Sequence, residues 1–461
     1  DNEGNAGMGG IVGLHPGRQG NLHSSIAADP TNDNIVYIGG DRQPYGFPNS
    51  IGANDYSGRL FRGDASLPAG TQMTPLTHVG TASNSAPHAD SRDLQFASNG
   101  VLLESDDGGI FKRTEPKYVT GDWFSLNGDL SITEQHDAAY DANSAIVVSG
   151  NQDNGTSVQS LLANTTWQNF FNADGGDVVV DDISLAGVNQ SVRFYSFQNL
   201  GAFRRVVYDQ NGIIISVTSP ALTVINGGNN FSPQFVTPLA INNIDGNRMI
   251  IGGGTSVYES EDQGDTIEEI GPDISVVGTG RNNIAYGATD NANILYIGAC
   301  QNSCFDSNDG DDGVFVRTTN NGALIHVYTP TTSVIQGVTV NPNDSTEAFI
   351  IENSKVFHST DTGANWTEVT GNLSNFGRLR SIEFMPSKSN SKLIVGSDRG
   401  VFLSQQVDDY LMWSTAAENM PNAPVFELQY DANSGRVIAG TLGRGSFLLA
   451  TQVEDNLAPI I

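Results

Sequence analysis

The stretch from Pro87 to Thr156 decides the fold that the sequence predicts. It contains PHADSRDLQF from Pro87, LESDDGGIFKRT from Leu103, TEQHDAAYD from Thr133 and VVSGNQDNGT from Val147. An apolar strand, a turn, a second apolar strand and a polar loop with glycine therefore occur twice in succession. A plan that repeats at about 40 to 50 residues is typical of β-propeller blades.

The same unit can be followed along the rest of the chain. Further units are marked by apolar strands at 25–30, 177–180, 249–253, 294–298, 337–341, 381–384 and 426–430. The segment YDANS at 140–144 recurs at 430–434, each time before a strand rich in Val and Ile. We predict an all-β protein whose residues 1–461 form a single closed β-propeller of four-stranded blades. The count is nine units, or eight if the irregular fourth unit merges with a neighbour, and a strand near residues 8–14 is expected to close the ring.

The charge balance excludes two classes of partner. The chain has 51 Asp and Glu against 22 Lys and Arg, a formal net charge of −29, so its surface repels nucleic acid and anionic membranes. No apolar run approaches the roughly 18 residues that a membrane helix needs, so membrane insertion is not expected. The chain starts at Asp1 without an initiator Met, which predicts a processed or trimmed chain. Its scarcity of Lys and abundance of Asp and Asn predict a secreted protein, either a monomer or part of a larger secreted chain.

A short acidic segment follows the two cysteines of the chain. Cys300 and Cys304 are predicted to form a local disulfide, with two reduced thiols as the alternative. Calcium prefers clustered oxygen ligands, so a structural calcium ion is predicted on the loop that follows, with a solvated acidic loop as the alternative. Its ligands would be Asp306, Asn308, Asp309, Asp311 and Asp312.

Three turns share a second signature. Residues 359–366 read STDTGANW and fit the pattern S-x-D-x-G-x-x-W, while 260–264 (SEDQG) and 318–322 (TTNNG) are partial copies. In such a turn Ser and Asp hydrogen-bond the backbone and Gly takes a positive φ, so Asp361, Asp262 and Asn320 are predicted to hold turns rather than perform chemistry.

These motifs resemble the Asp-box, or BNR-repeat, β-propellers. The GNQDNGT and DDGGIF elements and the closing GTLGRGSF look most similar to the secreted group of sortilin-like and xyloglucanase-like propellers. The resemblance spans nearly the whole chain and implies the propeller fold. It implies no one activity, since this fold hosts unrelated functions.

In a four-stranded blade, the loops that enter the first strand and those that join the second and third strands emerge on one face. Loops of many blades converge there, which is where propellers bind ligands. Among the residues that this rule places on that face are His15, His23, Asp93, Asp106, Asn154, Arg380 and Asp398. Candidate catalytic residues on it are His88, Asp90, Asp107, His136 and Asp153.

The catalytic candidates have functional and purely structural interpretations. His88 and Asp90 are either a general base with its orienting carboxylate, two ligands of a cation, or a local hydrogen bond that closes the loop. Asp107 and Asp153 are either the carboxylate pair of a glycoside hydrolase or ordinary turn residues beside glycine. His136 stands beside Asp137 at the entrance to a strand. This position suits a catalytic residue but is not specific to one.

Arginines on the same face point to an anionic ligand. Candidate substrate-binding residues are Asp41, Arg42, Arg92, Gln152, Arg204, Arg378, Arg399 and Arg444. Guanidinium groups bind carboxylate and sulfate bidentately, which favours an acidic polysaccharide, although pairing with neighbouring aspartates is equally expected. Tyr45, Phe47 and Tyr56, in the insertion between Arg42 and Gly58, could stack on a sugar.

Two functions remain open from the sequence. The first is a secreted, glycan-directed protein that binds and cleaves a polysaccharide, as a hydrolase with paired Asp or as a lyase with a His or Tyr base. The second is a non-enzymatic propeller module of an adhesin or receptor that binds a protein or a cell-surface glycan.

Overall fold

The chain is all-β. The computed structural model describes residues 4–5, 10–11, 13–161, 164–171, 173–276, 281–301, 313–331, 334–416, 419–432 and 434–450. Its helices are 3-10 segments of three to five residues: His78–Gly80, Ala186–Val188, Arg281–Asn283, Gly371–Asn375 and Gln406–Asp408. No helix in this part of the chain has the length and apolar character needed to cross a membrane.

The chain divides into two compact units, Asp1–Leu130 and Ser131–Ile461. The first unit holds two four-stranded antiparallel sheets and a pairing of Gly4–Asn5 with Gly10–Ile11. Sheet 1 consists of Ser25–Ala28, Ile35–Arg42, Gly58–Asp64 and Met73–Pro75. Sheet 2 consists of Asp93–Phe96, Leu102–Asp106, Gly109–Arg113 and Trp123–Ser125.

The second unit holds seven sheets among its described residues. Sheet 3 consists of Gln135–Asp141, Ile146–Asn151, Gly155–Gln159 and Trp167–Asn169. Sheet 4 consists of Val179–Asp181, Gln190–Phe197, Gly201–Asp209 and Ile214–Thr218. Sheet 5 is Leu239–Ile241, Met249–Gly252, Ser256–Ser260 and Thr266–Pro272, with Thr223–Asn226 added in parallel at its edge. Sheet 6 is Ile284–Ala288, Asn291–Gln301, Gly313–Arg317 and Ile325–Tyr328, with Ile274–Val276 paired to its long second strand. Sheet 7 consists of Gly337–Asn341, Asp344–Ile351, Val356–Ser359 and Thr367–Glu368. Sheet 8 consists of Leu379–Met385, Lys392–Ser397, Gly400–Gln405 and Ser414–Thr415. Sheet 9 consists of Val425–Asp431, Arg436–Thr441 and Gly445–Ala450.

The first strands of these seven sheets contact one another in a cycle. The first strand of each sheet packs against the first strand of the next, from sheet 3 through to sheet 9. Gln135–Asp141, which begins sheet 3, also packs against Val425–Asp431, which begins sheet 9. The order of contacts therefore returns to its starting point within the second unit.

The apolar core lies in layers between neighbouring sheets. One such layer combines Phe349 of sheet 7 with Phe384 and Leu393 of sheet 8, and Trp413 packs beside them; all are buried. These side chains come from alternate positions of their strands, the period of 2 that places one face of a strand against a neighbouring sheet.

The predicted role of the turn aspartates is visible in their hydrogen bonds. Asp361 Oδ1 accepts from Ser359 Oγ at 2.9 Å and from the Asn365 backbone N–H at 2.9 Å. Asp262 makes the equivalent bonds with Ser260 Oγ at 2.9 Å and the Thr266 N–H at 2.8 Å. The signature Trp366 packs against the core layer between sheets 6 and 7.

The all-β class and the repeated four-stranded antiparallel sheets are confirmed. The sequence reading misses two short first strands, Leu239–Ile241 and Ile284–Ala288. The single domain over 1–461, its closing strand at 8–14 and the nine-unit ring remain predictions. Gly10–Ile11 pairs with Gly4–Asn5. The predicted calcium ligands and Cys304 lie outside the described residues.

Candidate functional site

Three side chains of the first unit converge where loops meet sheets 1 and 2. Ligand atoms of His23, Asp90 and Asp107 all lie within 4.8 Å of one another. His23 Nε2 is 3.8 Å from Asp90 Oδ1, and their side chains are only 4% and 10% exposed.

Backbone hydrogen bonds hold these three residues in place. The His23 N–H donates to the Gln19 carbonyl at 3.0 Å, which folds the loop in front of sheet 1. The Asp90 N–H donates to the Asp41 carbonyl at 3.0 Å, and Asp90 has a φ of +70°, a conformation tolerated best by Gly, Asn and Asp. Asp107 follows the strand Leu102–Asp106 directly, so its position is set by the end of that strand.

Asp107 forms an ion pair with Arg92. Its Oδ1 accepts from Arg92 Nε at 3.0 Å and from Nη2 at 2.8 Å. The arginine side chain is 47% exposed and the aspartate 16% exposed. Arg92 can therefore reach solvent while it is paired with Asp107.

Beneath this surface lies a second carboxyl pair, Glu104 and Asp106, on alternate positions of one strand of sheet 2. Burial raises the pKa of Glu104 well above its ordinary value, and the neighbouring Asp106 raises it further. Burial also raises the pKa of Asp106 to about 6, against the opposing effects of nearby His88 and the Gly108 N–H. A carboxyl group that keeps its proton at mildly acid pH can donate it.

His88 packs on the glycine turn that follows Asp106. A Cβ on Gly108 would lie 2.4 Å from the His88 Cβ, so only glycine allows this contact. The His88 Nδ1 atom lies 3.3 Å from the carbonyl of Ala89, which supports the loop-closing interpretation of this histidine. His88 is not one of the three converging residues; His23 takes that place beside Asp90.

Asp41 supports the loops around it. It is fully buried; its Oδ1 accepts from the Arg42 N–H at 2.7 Å and its Oδ2 from the Gln19 N–H at 3.2 Å. These bonds tie the loop that contains His23 to the end of a strand of sheet 1. Asp41 is thus a positioning residue in this structure and does not reach the surface.

The insertion after Arg42 forms an aromatic surface. The guanidinium of Arg42 lies 4.5 Å from the centroid of the Tyr56 ring. Phe47 packs edge to face against both tyrosines, at 5.0 Å from Tyr56 and 6.2 Å from Tyr45. Tyr45 is 68% exposed and Tyr56 44% exposed. We call Arg42, Tyr45, Phe47 and Tyr56 the aromatic platform.

Buried polar side chains hold this insertion in shape. Gln43 Nε2 donates to the Gly58 carbonyl at 2.7 Å, across the base of the insertion. Asn49 donates to Gln43 Oε1 at 3.0 Å and accepts from the Ile51 and Ala53 N–H groups. The platform is therefore carried on a loop with internal hydrogen bonds rather than on an unsupported one.

The second unit contains another carboxyl pair at sheet 3. Gln152 Nε2 donates to Asp153 Oδ2 at 3.0 Å and to Asp174 Oδ1 at 2.8 Å, and the Asp153 N–H also donates to Asp174. Burial raises the pKa of Asp174, with opposing backbone hydrogen bonds and a further increase from the charge of Asp153. His136 is buried beside them, and burial lowers its pKa despite Asp153 and Asp137.

The arginines of the second unit have local partners. Arg380 Nε donates to Asp398 Oδ1 at 2.7 Å, and Arg378 Nη2 donates to Gln336 Oε1 at 3.2 Å. Arg444 and Arg399 are exposed, and Ser131 Oγ donates to the Arg444 carbonyl at 2.6 Å. Arg204 donates to Ser219 Oγ.

A cavity of about 530 Å³ lies among the first strands of the second unit. Its lining includes Asp182, Glu383, Glu427, Tyr430 and Asp431 and, among the described residues, contains no Lys or Arg. Burial, together with the charges of Asp431 and Asp141, raises the pKa of Asp182 to about 6. This cavity is thus acidic.

The structure brings some of the sequence-predicted residues together. Asp90, Asp107 and Arg92 are brought together in the first unit, and Gln152, Asp153 and His136 in the second. Whether both sets share one face remains a prediction. Sequence reasoning gave no special role to His23, Glu104 or Asp174. The alternation of Glu104 and Asp106 on one strand is a signal that could have identified that pair.

The comparisons with known proteins show the fold. No protein-family model matches the sequence, and no curated protein does. A GH74 enzyme from Niastella koreensis has a similar structure, with a TM-score of 0.55, 17% identity, and coverage of 98% of this chain and 63% of that one. Two structures are more distant. A GH74 xyloglucanase from Xanthomonas campestris has 14% identity and a TM-score of 0.41, with coverage of 92% of this chain and 58% of that one. An extracellular domain from B. thetaiotaomicron has 10% identity and a TM-score of 0.45, with coverage of 94% of this chain and 59% of that one.

At this identity the likeness to the Niastella enzyme establishes a shared fold alone. The chain spans 63% of that enzyme's length. The shared fold agrees with the all-β architecture predicted from the sequence. Membership of the Asp-box group stays a prediction.

Proposed function

We propose that this protein is an extracellular, glycan-directed β-propeller protein that binds an acidic polysaccharide on its first unit. The observation that carries the proposal is the aromatic platform beside the charged cluster of His23, Asp90 and Asp107. Asp41 and Arg42 connect the two, since the Asp41 carbonyl accepts from the Asp90 N–H and the Arg42 side chain covers Tyr56.

The platform suits a sugar polymer for physical reasons. The C–H face of a sugar ring packs on an exposed aromatic ring, and Tyr45 and Tyr56 are both exposed. Arg42 and Arg92 add guanidinium groups, which bind carboxylate or sulfate bidentately. On a chain with a net charge of −29, local arginines are needed to hold an anionic polymer.

The second unit supports the propeller part of the proposal. Its seven first strands contact one another in a cycle, which is the arrangement expected when sheets close into a ring without a free edge. We infer a ring of seven blades from sheets 3 to 9, smaller than the ring of nine predicted from the sequence.

Cleavage of the bound polymer is a second candidate function. It is favoured by Asp106, whose pKa of about 6 suits a proton donor, next to Asp107, whose carboxylate pairs with Arg92. An acid and a carboxylate in different environments are the requirement of glycoside hydrolysis.

Binding is tested on the full chain by affinity electrophoresis against polygalacturonate, alginate and chondroitin sulfate, with neutral xyloglucan as comparison. Retardation by an acidic polymer is expected, and Tyr56→Ala should abolish most of it. Tyr118→Ala is the control, because Tyr118 is 65% exposed in the same unit but outside the platform. Equal retardation of both variants, or none by any acidic polymer, would contradict the proposal.

Cleavage is tested on the same polymers by release of reducing ends and by absorbance of unsaturated uronates. Reducing ends without unsaturated product, lost in Asp106→Asn and kept in Asp361→Asn, would support hydrolysis. Unsaturated product would support the lyase alternative. Binding without either product would leave a non-enzymatic glycan-binding module.

A further inference from the structure

We infer that His23, Asp90 and Asp107 bind a divalent transition-metal ion, with Zn²⁺ or Mn²⁺ as the matching class. Their ligand atoms lie within 4.8 Å of one another in the first unit. This site is separate from the predicted calcium loop at 306–312, and the inference does not depend on the proposed glycan binding.

The distance between His23 and Asp90 is close to that of two ligands of one ion. His23 Nε2 and Asp90 Oδ1 are 3.8 Å apart, which is too far for a hydrogen bond. Two ligands bound tetrahedrally to Zn²⁺ at about 2.0 to 2.2 Å lie roughly 3.4 Å apart. A closure of a few tenths of an ångström would therefore bring both atoms into the first coordination sphere.

The donor set selects the class of ion. One imidazole with two carboxylates suits Zn²⁺ and Mn²⁺, whereas Ca²⁺ and Mg²⁺ prefer oxygen ligands throughout. Three protein ligands leave at least one position for water or for an oxygen of a bound molecule.

Burial and charge supply an independent argument. The side chain of His23 is only 4% exposed, and its Nε2 atom faces Asp90 Oδ1 at 3.8 Å. A buried imidazole beside two carboxylates is costly to keep in an empty site, and a divalent cation offsets that cost.

Two of the three candidate ligands are carboxylates, and Arg92 is the guanidinium that pairs with Asp107. A divalent ion would therefore be attracted by charge as well as held by coordination. Arg92 can remain bound to Oδ1 of Asp107, since a carboxylate accepts from several partners.

The inference is tested on the full chain, treated with EDTA and returned to chelator-free buffer. Binding of ZnCl₂, MnCl₂ and CaCl₂ is measured by titration calorimetry, and the Mn²⁺ complex is examined by pulsed electron paramagnetic resonance for coupling to histidine nitrogen. We expect Zn²⁺ and Mn²⁺ to bind, with nitrogen coupling to Mn²⁺.

Variants link the ion to these residues. Asp107→Asn keeps the acceptor for Arg92 but should weaken Zn²⁺ binding by at least about tenfold. Asp64→Asn is the matched control, since Asp64 pairs with Arg62 in the same unit away from the cluster, and it should bind Zn²⁺ as the parent does. His23→Gln should lose the nitrogen coupling.

Several results would overturn the inference: unchanged Zn²⁺ affinity in Asp107→Asn, no nitrogen coupling in the parent chain, or binding of Ca²⁺ alone. If His23→Gln does not fold, as judged by circular dichroism, the parent chain and Asp107→Asn still decide the question. An ion held only by the 306–312 loop would bind Asp107→Asn and the parent equally.

Discussion

The guanidinium of Arg42 lies over the ring of Tyr56, with its carbon 4.5 Å from the ring centroid. Arg42 is half-buried and Tyr56 is 44% exposed, so the pair presents a cation and an aromatic ring to solvent at one place. Stacking of a planar guanidinium on a ring also fixes the direction in which its N–H groups point. The N–H groups of Arg42 are therefore already oriented before an anion binds.

Arg42→Lys should weaken binding of an acidic polysaccharide about tenfold while the charge is kept. The reason is that lysine supplies a point charge and loses the planar stack on Tyr56. Affinity electrophoresis across a range of salt concentrations measures this. Arg62→Lys, in the same unit and paired with Asp64, is the control and should bind as the parent does. Equal affinity of Arg42→Lys and the parent would show that only charge matters.

Asp106→Asn should stabilise sheet 2 at pH 7 and remove part of its pH dependence. Burial raises the pKa of Asp106 from 3.8 to about 6 in the folded protein. The folded state thus holds the proton more tightly, and the resulting stabilisation, present below about pH 4, is lost as the pH rises to about 6. A shift of this size corresponds to at most about 3 kcal/mol.

The measurement for Asp106 is amide hydrogen exchange of Leu102–Asp106 between pH 4 and 7, corrected for intrinsic rates. Protection in Asp106→Asn should exceed that of the parent at pH 7 and match it near pH 4. Asn keeps the acceptor for the Gly108 N–H, so the turn is preserved. A parent chain whose corrected protection does not fall with pH would contradict the prediction.

Glu259→Gln should destabilise the second unit by about 3 to 5 kcal/mol. Glu259 is buried, and its carboxylate accepts from Arg317 Nη1 at 2.6 Å, from Arg248 Nη2 at 2.7 Å and from the Tyr286 hydroxyl. The amide would leave two buried guanidinium groups without their counter-charge. Urea unfolding measures the loss, and exposed Glu261→Gln is the control, expected to change stability by less than about 0.5 kcal/mol.

The same carboxylate predicts acid sensitivity. Burial alone would raise the pKa of Glu259, but the hydrogen bond and charge of Arg317, with help from Tyr286 and Arg248, lower it below 4.5. Its stabilising contribution is therefore present above about pH 4.5 and is lost as the pH falls through the lowered value. Glu259→Gln should lack this part of the acid transition, and an unchanged acid profile would refute the assignment.

Asp361→Ala should cost about 1 to 2 kcal/mol without altering glycan binding. It removes the acceptor for Ser359 Oγ and for the Asn365 N–H, so the turn loses its internal hydrogen bonds. Asp361→Asn keeps an acceptor oxygen and should cost less than half as much. Thermal unfolding compares the two, and equal losses would show that charge rather than hydrogen bonding matters at this turn.

The fold could be predicted further than the site. Alternation of apolar residues, as in Leu94 and Phe96, follows from the period of a strand and needs no tertiary information. Turn signatures such as STDTGANW form hydrogen bonds within the signature itself, so these turns can also be predicted from local sequence. Short strands such as Leu239–Ile241 have too few residues for a period to be seen, so they were missed.

The site depends on contacts between distant parts of the chain. His23 meets Asp90 only because the loop before sheet 1 folds back on Asp41, through the bond from the Gln19 N–H. His88, closer to Asp90 in sequence, instead packs on Gly108. Nothing in the local pattern distinguishes these two histidines. The raised pKa of Asp106 likewise arises from burial, which residue type alone does not reveal.

Contact between Gln135–Asp141 and Val425–Asp431 makes the two extremes of the second unit neighbours. A chain re-engineered so that a linker runs from Ala450 back along the last strand to Ser131, which lies beside Arg444, and opened instead at an exposed loop such as 387–390, would keep all these sheet-to-sheet contacts. The blades could thus be synthesised in a circularly permuted order while the folded architecture stayed the same.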